Sequence, residues 1–250
     1  MSSIGQPCER KLWYEINKPE LAAPLSGNDH LRFLYGDIVE SLMLFLAKLA
    51  GHNVQGEQGE VEIEGIKGHR DAIIDGVLVD VKSASAFSYK KFEDGSLQEN
   101  DAFGYIPQLQ SYLSASSKDD RLIQKDEAYF LAVNKVTGEF CLTLSKGNEV
   151  DWPKTYNYKK ELVSQPNPPP RGFEPEDWGK GGNKALSFNC TLCPWKKTCW
   201  PEIRYFQYAN KVAELVVVKK EPLVPEIIEG ELISKTKEQE KDENSLDGTI

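Results

Sequence analysis

Residues 61–83 read VEIEGIKGHRDAIIDGVLVDVKS. Apolar and polar residues alternate with a period of two, the pattern of strands that bury one face. Gly65 to Gly68 marks one turn and Asp75-Gly76 another, because an Asp-Gly pair accepts the positive φ angles of a tight hairpin. Three strands are expected. In the last, VLVDVKS, Asp80 and Lys82 stand two apart and share one face. A charged pair in an otherwise apolar strand costs free energy unless it has partners or a task. The preceding strand contributes Asp71, at the end of GHRD.

On the upstream side, HLRFLYGDIVESLMLFLAKLAG (30–51) has helical spacing, with Leu31, Leu34, Ile38, Leu42, Phe45 and Leu49 expected as one buried face and Gly51 as the stop. This helix carries Glu40. A shorter helix over 8–16 carries Cys8, Arg10 and Lys11. Downstream, DAFGYIPQLQSYLSAS (101–116) predicts a helix whose first turn is limited by Pro107. AYFLAVNKVTGEFCLTL (128–144) predicts a hairpin turning at Thr137-Gly138. The order helix, three strands, helix, two strands implies an α/β (α+β) fold, a mixed central sheet flanked by helices.

Four segments follow along the chain: an N-terminal piece (1–29), the core (30–163), a Pro/Gly-rich connector leading into a cysteine-bearing segment (164–220), and an acidic tail (221–250). SQPNPPPRGFEPEDWGKGGN (164–183) predicts no regular element. Residues 200–219 predict a helix or a strand with an aromatic side, Tyr205, Phe206 and Tyr208. Nine acids against three lysines in 221–250 predict disorder there. The tail holds most of the net charge of −9, so the near-balanced body does not argue against nucleic acid. The opening MSSIGQPCERKLWYEI has no apolar run of the signal-peptide kind, and no stretch nears the roughly 18 apolar residues of a membrane span. A cytoplasmic protein without membrane contact is the expectation.

Cys190, Cys193 and Cys199 lie in CTLCPWKKTC, with Cys8 far upstream. In a reducing compartment this spacing suits a metal centre over disulfides. Both Cys₄ zinc and a [4Fe-4S] cluster are compatible with it. Cys141, alternating with apolar strand residues, reads as a plain thiol.

Glu40, Asp71, Asp80 and Lys82 make a second constellation. Carboxylates converging at a sheet edge suit Mg²⁺ or Mn²⁺, which prefer oxygen ligands. A bound metal lowers the pKa of its water and neutralises charge developing on a phosphate, and a neighbouring lysine can orient that water or help deprotonate it. Hydrolysis of a phosphodiester needs these parts. Segment 83–105, read as a loop, interleaves Lys90 and Lys91 with Phe87, Tyr89 and Phe92, a composition that suits single-stranded nucleic acid. Trp195-Lys196-Lys197 is a further candidate along a substrate path.

Four short motifs occur in order: Gly36-Asp37-Ile38-Val39-Glu40, Gly68-His69-Arg70-Asp71, Asp80-Val81-Lys82 and Gln108-Leu109-Gln110-Ser111-Tyr112. Together they resemble the RecB-like branch of the PD-(D/E)xK nuclease superfamily over about residues 8–200. One cysteine before the core and three after it resemble the iron–sulfur subset of that branch, which includes the CRISPR-associated Cas-four-type exonucleases and the AddB-type nuclease domains. The resemblance implies a restriction-endonuclease-like fold with its ends clasped by a [4Fe-4S] cluster on Cys8, Cys190, Cys193 and Cys199. It implies metal ligation by Asp71 and Asp80, with the Val81 carbonyl as a third ligand. Lys82 would position the attacking water, and Gln108 and Tyr112 would contact DNA or brace the site. Glu40 departs from the family pattern, where histidine is common, and would ligate or bridge through water. The implied activity is metal-dependent DNA cleavage, often exonucleolytic on single strands, in recombination, replication, repair or CRISPR adaptation, with DNA and recombination or adaptation proteins as partners. The contrasting expectation is a non-catalytic DNA- or partner-binding module. A purely binding role leaves the Asp71, Asp80 and Lys82 set without a task.

Overall fold

The computed structural model describes residues 1, 3–147, 150–228 and 230–233. The chain divides into two compact units. The first comprises residues 1–17 and 24–169, the second 18–23 and the chain from Pro170 on.

The first unit is α+β. Helices α1 (Glu9–Asn17) and α2 (Gly27–Leu49) precede strands β1 (Val54–Gln55), β2 (Gly59–Ile63), β3 (Ile66–Arg70), β4 (Ala72–Ile74) and β5 (Val77–Ala84). Helices α3 (Ala86–Glu93) and α4 (Tyr105–Ala115) then lead to β6 (Glu127–Asn134), β7 (Phe140–Lys146) and α5 (Trp152–Val163). The central sheet runs β1-β4-β5-β6-β7. It is mixed: β5 and β6 are parallel, and the other pairs are antiparallel. The α3–α4 connection is the crossover that a parallel pair requires. Ile73, Leu78, Phe130 and Ala132 pack with Tyr89, Phe92, Leu109 and Leu113 of α3 and α4. Ala72, Val79, Val81 and Val133 pack with Val39 and Leu44 of α2. A mixed sheet with helices on both faces is consistent with a restriction-endonuclease-like architecture.

Residues 61–83 form four strands rather than three, because the second breaks at Asp71. β3 pairs only with β2 in a separate ribbon, whereas β4 enters the central sheet. Both hairpin turns use left-handed pairs: Glu64 and Gly65 at φ 51° and 75°, Asp75 and Gly76 at 51° and 80°. A capping box opens α2, with Ser26 Oγ accepting from Asp29 N and the Asp29 carboxylate accepting from Ser26 N.

The expected burial of α2 is reversed. Leu31, Leu34, Ile38, Leu42, Phe45 and Leu49 are exposed, and the helix packs on the sheet through Val39 and Leu44 instead. Segment 83–105 is not a loop. It contains α3, and Tyr89 and Phe92 lie in the core, unavailable for stacking on bases. Helix α5 was not anticipated; Asp151 caps it, accepting from Lys154 N at 2.9 Å, with a proline in its first turn.

The second unit is an antiparallel sheet. Strands β8 (Glu176–Trp178) and β9 (Asn183–Ala185) precede short helices α6 (Phe188–Thr191) and α7 (Lys196–Cys199). Strands β10 (Arg204–Gln207), β11 (Val212–Val217), β12 (Glu226–Ile228) and β13 (Glu231–Ile233) complete the order β13-β12-β10-β11-β9-β8. Segment 164–183 therefore does contain a regular element, β8, and 200–219 is a hairpin. Part of the expected disordered tail is regular structure, since β12 and β13 lie within it; 234–250 lie outside the described residues. Arg204 holds β12 by donating to both Glu226 and Glu221 at 2.6–3.1 Å. Among the described residues no helix is long and apolar enough to cross a membrane.

Candidate nuclease site

The site lies where β4 ends. β4 pairs with β5 only as far as Val79, so Val81 has no strand beside it on that edge. Asp71, in the break between β3 and β4, fills the gap: its Oδ2 accepts from Val81 N at 2.7 Å. Asp80 and Lys82 emerge from β5 on the α4 side, in register with Phe130 and Ala132 of β6. Asp80 is 3% exposed, and its Oδ2 lies 2.6 Å from Lys82 Nζ. That ion pair is the close charged partner of the buried Oδ2.

Burial works against the charged form of Lys82, but Asp80 and then Asp71 outweigh it and push its pKa above that of an ordinary lysine. Asp71 is pushed up to about 7, first by burial and then by the Asp80 charge; Glu40 adds to this, and Lys82 and the Val81 N–H oppose it. The Asp71 and Asp80 carboxylates therefore resist joint ionisation. Glu40 comes from α2 and accepts from Gln58 Nε2 at 2.5 Å. Gln58 N donates to Asp71 O at 2.9 Å, so this one residue touches both acids.

Gln108 and Tyr112 lie one helical turn apart on α4, with Gln108 Nε2 donating to the Tyr112 hydroxyl at 3.2 Å. Burial raises the Tyr112 pKa, and the charges of Asp80, Lys82 and Asp71 all reach it. Gly68 leaves the space that this ring uses, since a Cβ there would stand 3.0 Å from Tyr112 Cε1. The four motifs thus meet: Glu40, Asp71, Asp80, Lys82, Gln108 and Tyr112 gather around the open edge of β5. The Val81 N–H is engaged by Asp71. Lys91 Nζ lies 5.3 Å from the Phe87 ring centre and donates to Asn100 O, while Lys90 is exposed on α3.

Two site residues escaped the sequence. Tyr105 places its ring 5.0 Å from Lys82 Nζ, and burial raises its own pKa. Gln58 has a left-handed backbone, φ 48°, that side chains other than glycine rarely adopt. Neither belongs to a motif. A left-handed glutamine between two turns gives no periodic signal.

In the second unit Cys190 and Cys199 pack against Leu186, Trp200 and Val216. All five cysteines of the chain are half-buried. Trp195 is buried, with Nε1 donating to Lys18 O at 2.9 Å, and Lys196 pairs with Glu214. Packing therefore removes Trp195 from any substrate path. Among the described residues no three His, Cys, Asp or Glu side chains are drawn together as a metal-holding group.

No family model and no curated protein matches the chain. Among solved structures it is similar to an alkaline exonuclease from Laribacter hongkongensis (14% identity, 52% of this chain and 65% of that one, TM-score 0.39). It is similar also to a phage-related exonuclease from Haemophilus somnus (16%, 51% and 65%, 0.36). A third is SSO0001 (14%, 80% and 85%, 0.45). The match thus spans just under two thirds of the two exonucleases.

Proposed function

We propose that the chain is a metal-dependent deoxyribonuclease, acting on single strands or DNA ends. The observation that carries this is the meeting of the Asp80 and Asp71 carboxylates with a charged lysine at the open edge of β5, where burial and the Asp80 charge push the Asp71 pKa up. A cation would relieve the repulsion between the two carboxylates.

Hard oxygen donors of this kind suit Mg²⁺ or Mn²⁺, which Asp71 and Asp80 would hold, with Glu40 as the further carboxylate that could turn to it. Such a metal, when bound, supplies an acidified water and neutralises charge on the scissile phosphate. In the metal-free protein Asp80 and Asp71 hold the proton on Lys82, and there the ammonium would orient a water by donating to it. Tyr105 limits where that ammonium can go. Gln108 and Tyr112 brace the site's α4 side or meet the DNA strand.

We infer that Cys8, Cys190, Cys193 and Cys199 supply the four thiolates of a [4Fe-4S] cluster. Donor chemistry and the resemblance to the iron–sulfur subset support this. Recombination, repair or CRISPR adaptation is the setting that the same resemblance supports.

The test uses the full chain purified without oxygen, labelled single- and double-stranded DNA, and Mg²⁺ or Mn²⁺. Cleavage that EDTA stops is expected. Intact DNA in both metals overturns the nuclease proposal, and tight DNA binding without turnover favours the binding module.

A further inference from the structure

The sheet-averted side of α2 is the largest feature that the nuclease site leaves unused. Leu31, Tyr35, Ile38, Leu42, Phe45 and Leu49 follow spacings of four, three, four, three and four residues. That is a heptad seam over 19 residues, the repeat by which one helix packs along another. Each of the six is exposed, from 43% at Tyr35 to 68% at Leu49. At about 100 Å² of uncovered apolar surface per side chain, the seam exposes on the order of 600 Å². Apolar neighbours on the same helix, Leu34 and Leu46, widen it. The whole approaches the roughly 800 Å² per partner of a stable interface, and it reaches the upper end of what monomers leave bare.

We propose that this face pairs with the same face of a second copy of the chain, α2 against α2 and antiparallel. The seam reads Leu-Tyr-Ile-Leu-Phe-Leu. Reversed against itself it sets Leu31 opposite Leu49, Tyr35 opposite Phe45 and Ile38 opposite Leu42. Aliphatic then meets aliphatic and aromatic meets aromatic, with side-chain volumes matched across the two-fold axis. The cations beside the seam do not oppose each other in this arrangement. Arg32 falls beside the partner's Leu46 and Lys48 beside the partner's Leu34, and their charges are already engaged by Asp29 and Glu57. Antiparallel helix dipoles add a small favourable contribution. Glu40 lies on the opposite side of α2 from the seam, so pairing leaves the carboxylates of each copy uncovered.

The test is the mass of the full-length chain in solution by light scattering at micromolar concentration. Twice the 28.2 kDa of one chain is expected. Ile38→Glu alone and Leu42→Lys alone should each weaken association at least tenfold and give monomers, with circular dichroism unchanged because both side chains are exposed. Mixing the two variants should restore a dimer, since antiparallel pairing sets residue 38 of one copy against residue 42 of the other. A monomeric wild type overturns the proposal. So does a dimer indifferent to either substitution, or a mixture of the variants that stays monomeric.

Discussion

At the scale of single residues, the chemistry turns on how three charges share one buried corner. Burial disfavours the Lys82 ammonium, yet Asp80 and Asp71 hold the proton on it, so the lysine is a donor throughout the neutral range. Asp71 bears the cost, pushed up to about 7 by burial and by Asp80. Its folded pKa lies above its unfolded one near 3.9, so the metal-free protein is favoured by protonation. That contribution is complete below about pH 4 and is lost as pH rises through about 7. Asp71→Asn should therefore stabilise the metal-free chain at pH 8 relative to wild type, read as a higher midpoint in urea denaturation. At pH 6 metal uptake should release close to one proton, measurable by calorimetry in buffers of different ionisation enthalpy. The acids and the lysine were legible as a strand triplet and a neighbouring motif. Tyr105 and Gln58 were not, because their roles come from where α4 and a left-handed turn place them.

At the scale of elements, the site depends on how β3 ends. Arg70, 2% exposed, donates to Ser116 Oγ at 2.9 Å and pairs with Asp119, which also holds Arg121 at 2.7 Å. This anchors the residue next to Asp71. Asp119→Ala should cost about 3–5 kcal/mol, since it strands a buried guanidinium, and the melting temperature should fall accordingly. The Arg121 hydrogen bonds, against burial and together with Arg70, hold the Asp119 carboxyl well below the usual carboxylate range. Its folded pKa is depressed, so its contribution is present above about pH 4 and lost as pH falls below that. Ser26→Ala should remove the α2 capping box at about 1 kcal/mol, seen as a lower denaturation midpoint. Period-two alternation located the strands because one face of each is buried. Period alone could not say which side of α2 meets the sheet. Leu31 and Leu42 lie on the more apolar side, but it is Val39 and Leu44 that pack on the sheet, leaving the richer side bare. The break at Asp71 was likewise hidden, since a strand that changes sheets keeps its alternation.

At the scale of the whole molecule, the two units carry different chemistry. The first holds the carboxylates, and the second holds three of the five cysteines, of which Cys190 and Cys199 pack on Leu186, Trp200 and Val216. If those thiolates ligate a cluster, removing iron should loosen this packing, and the emission of buried Trp195 and Trp200 should shift to the red. Emission unchanged by chelation would contradict a structural cluster there. The cysteine spacing is legible in the sequence because ligation of a metal centre, as proposed, would fix local sequence. The six-stranded sheet around it was not, because its strands are only three to six residues long and several follow proline-rich stretches. The central claim is that Asp80 and Lys82 belong to a hydrolytic centre. It is tested most directly by degradation of end-labelled DNA in Mn²⁺ by wild type, Asp80→Asn and Lys82→Ala, each checked for folding by circular dichroism. Loss of cleavage by on the order of 10²–10³-fold in both folded variants is predicted. Undiminished cleavage by either folded variant would contradict it.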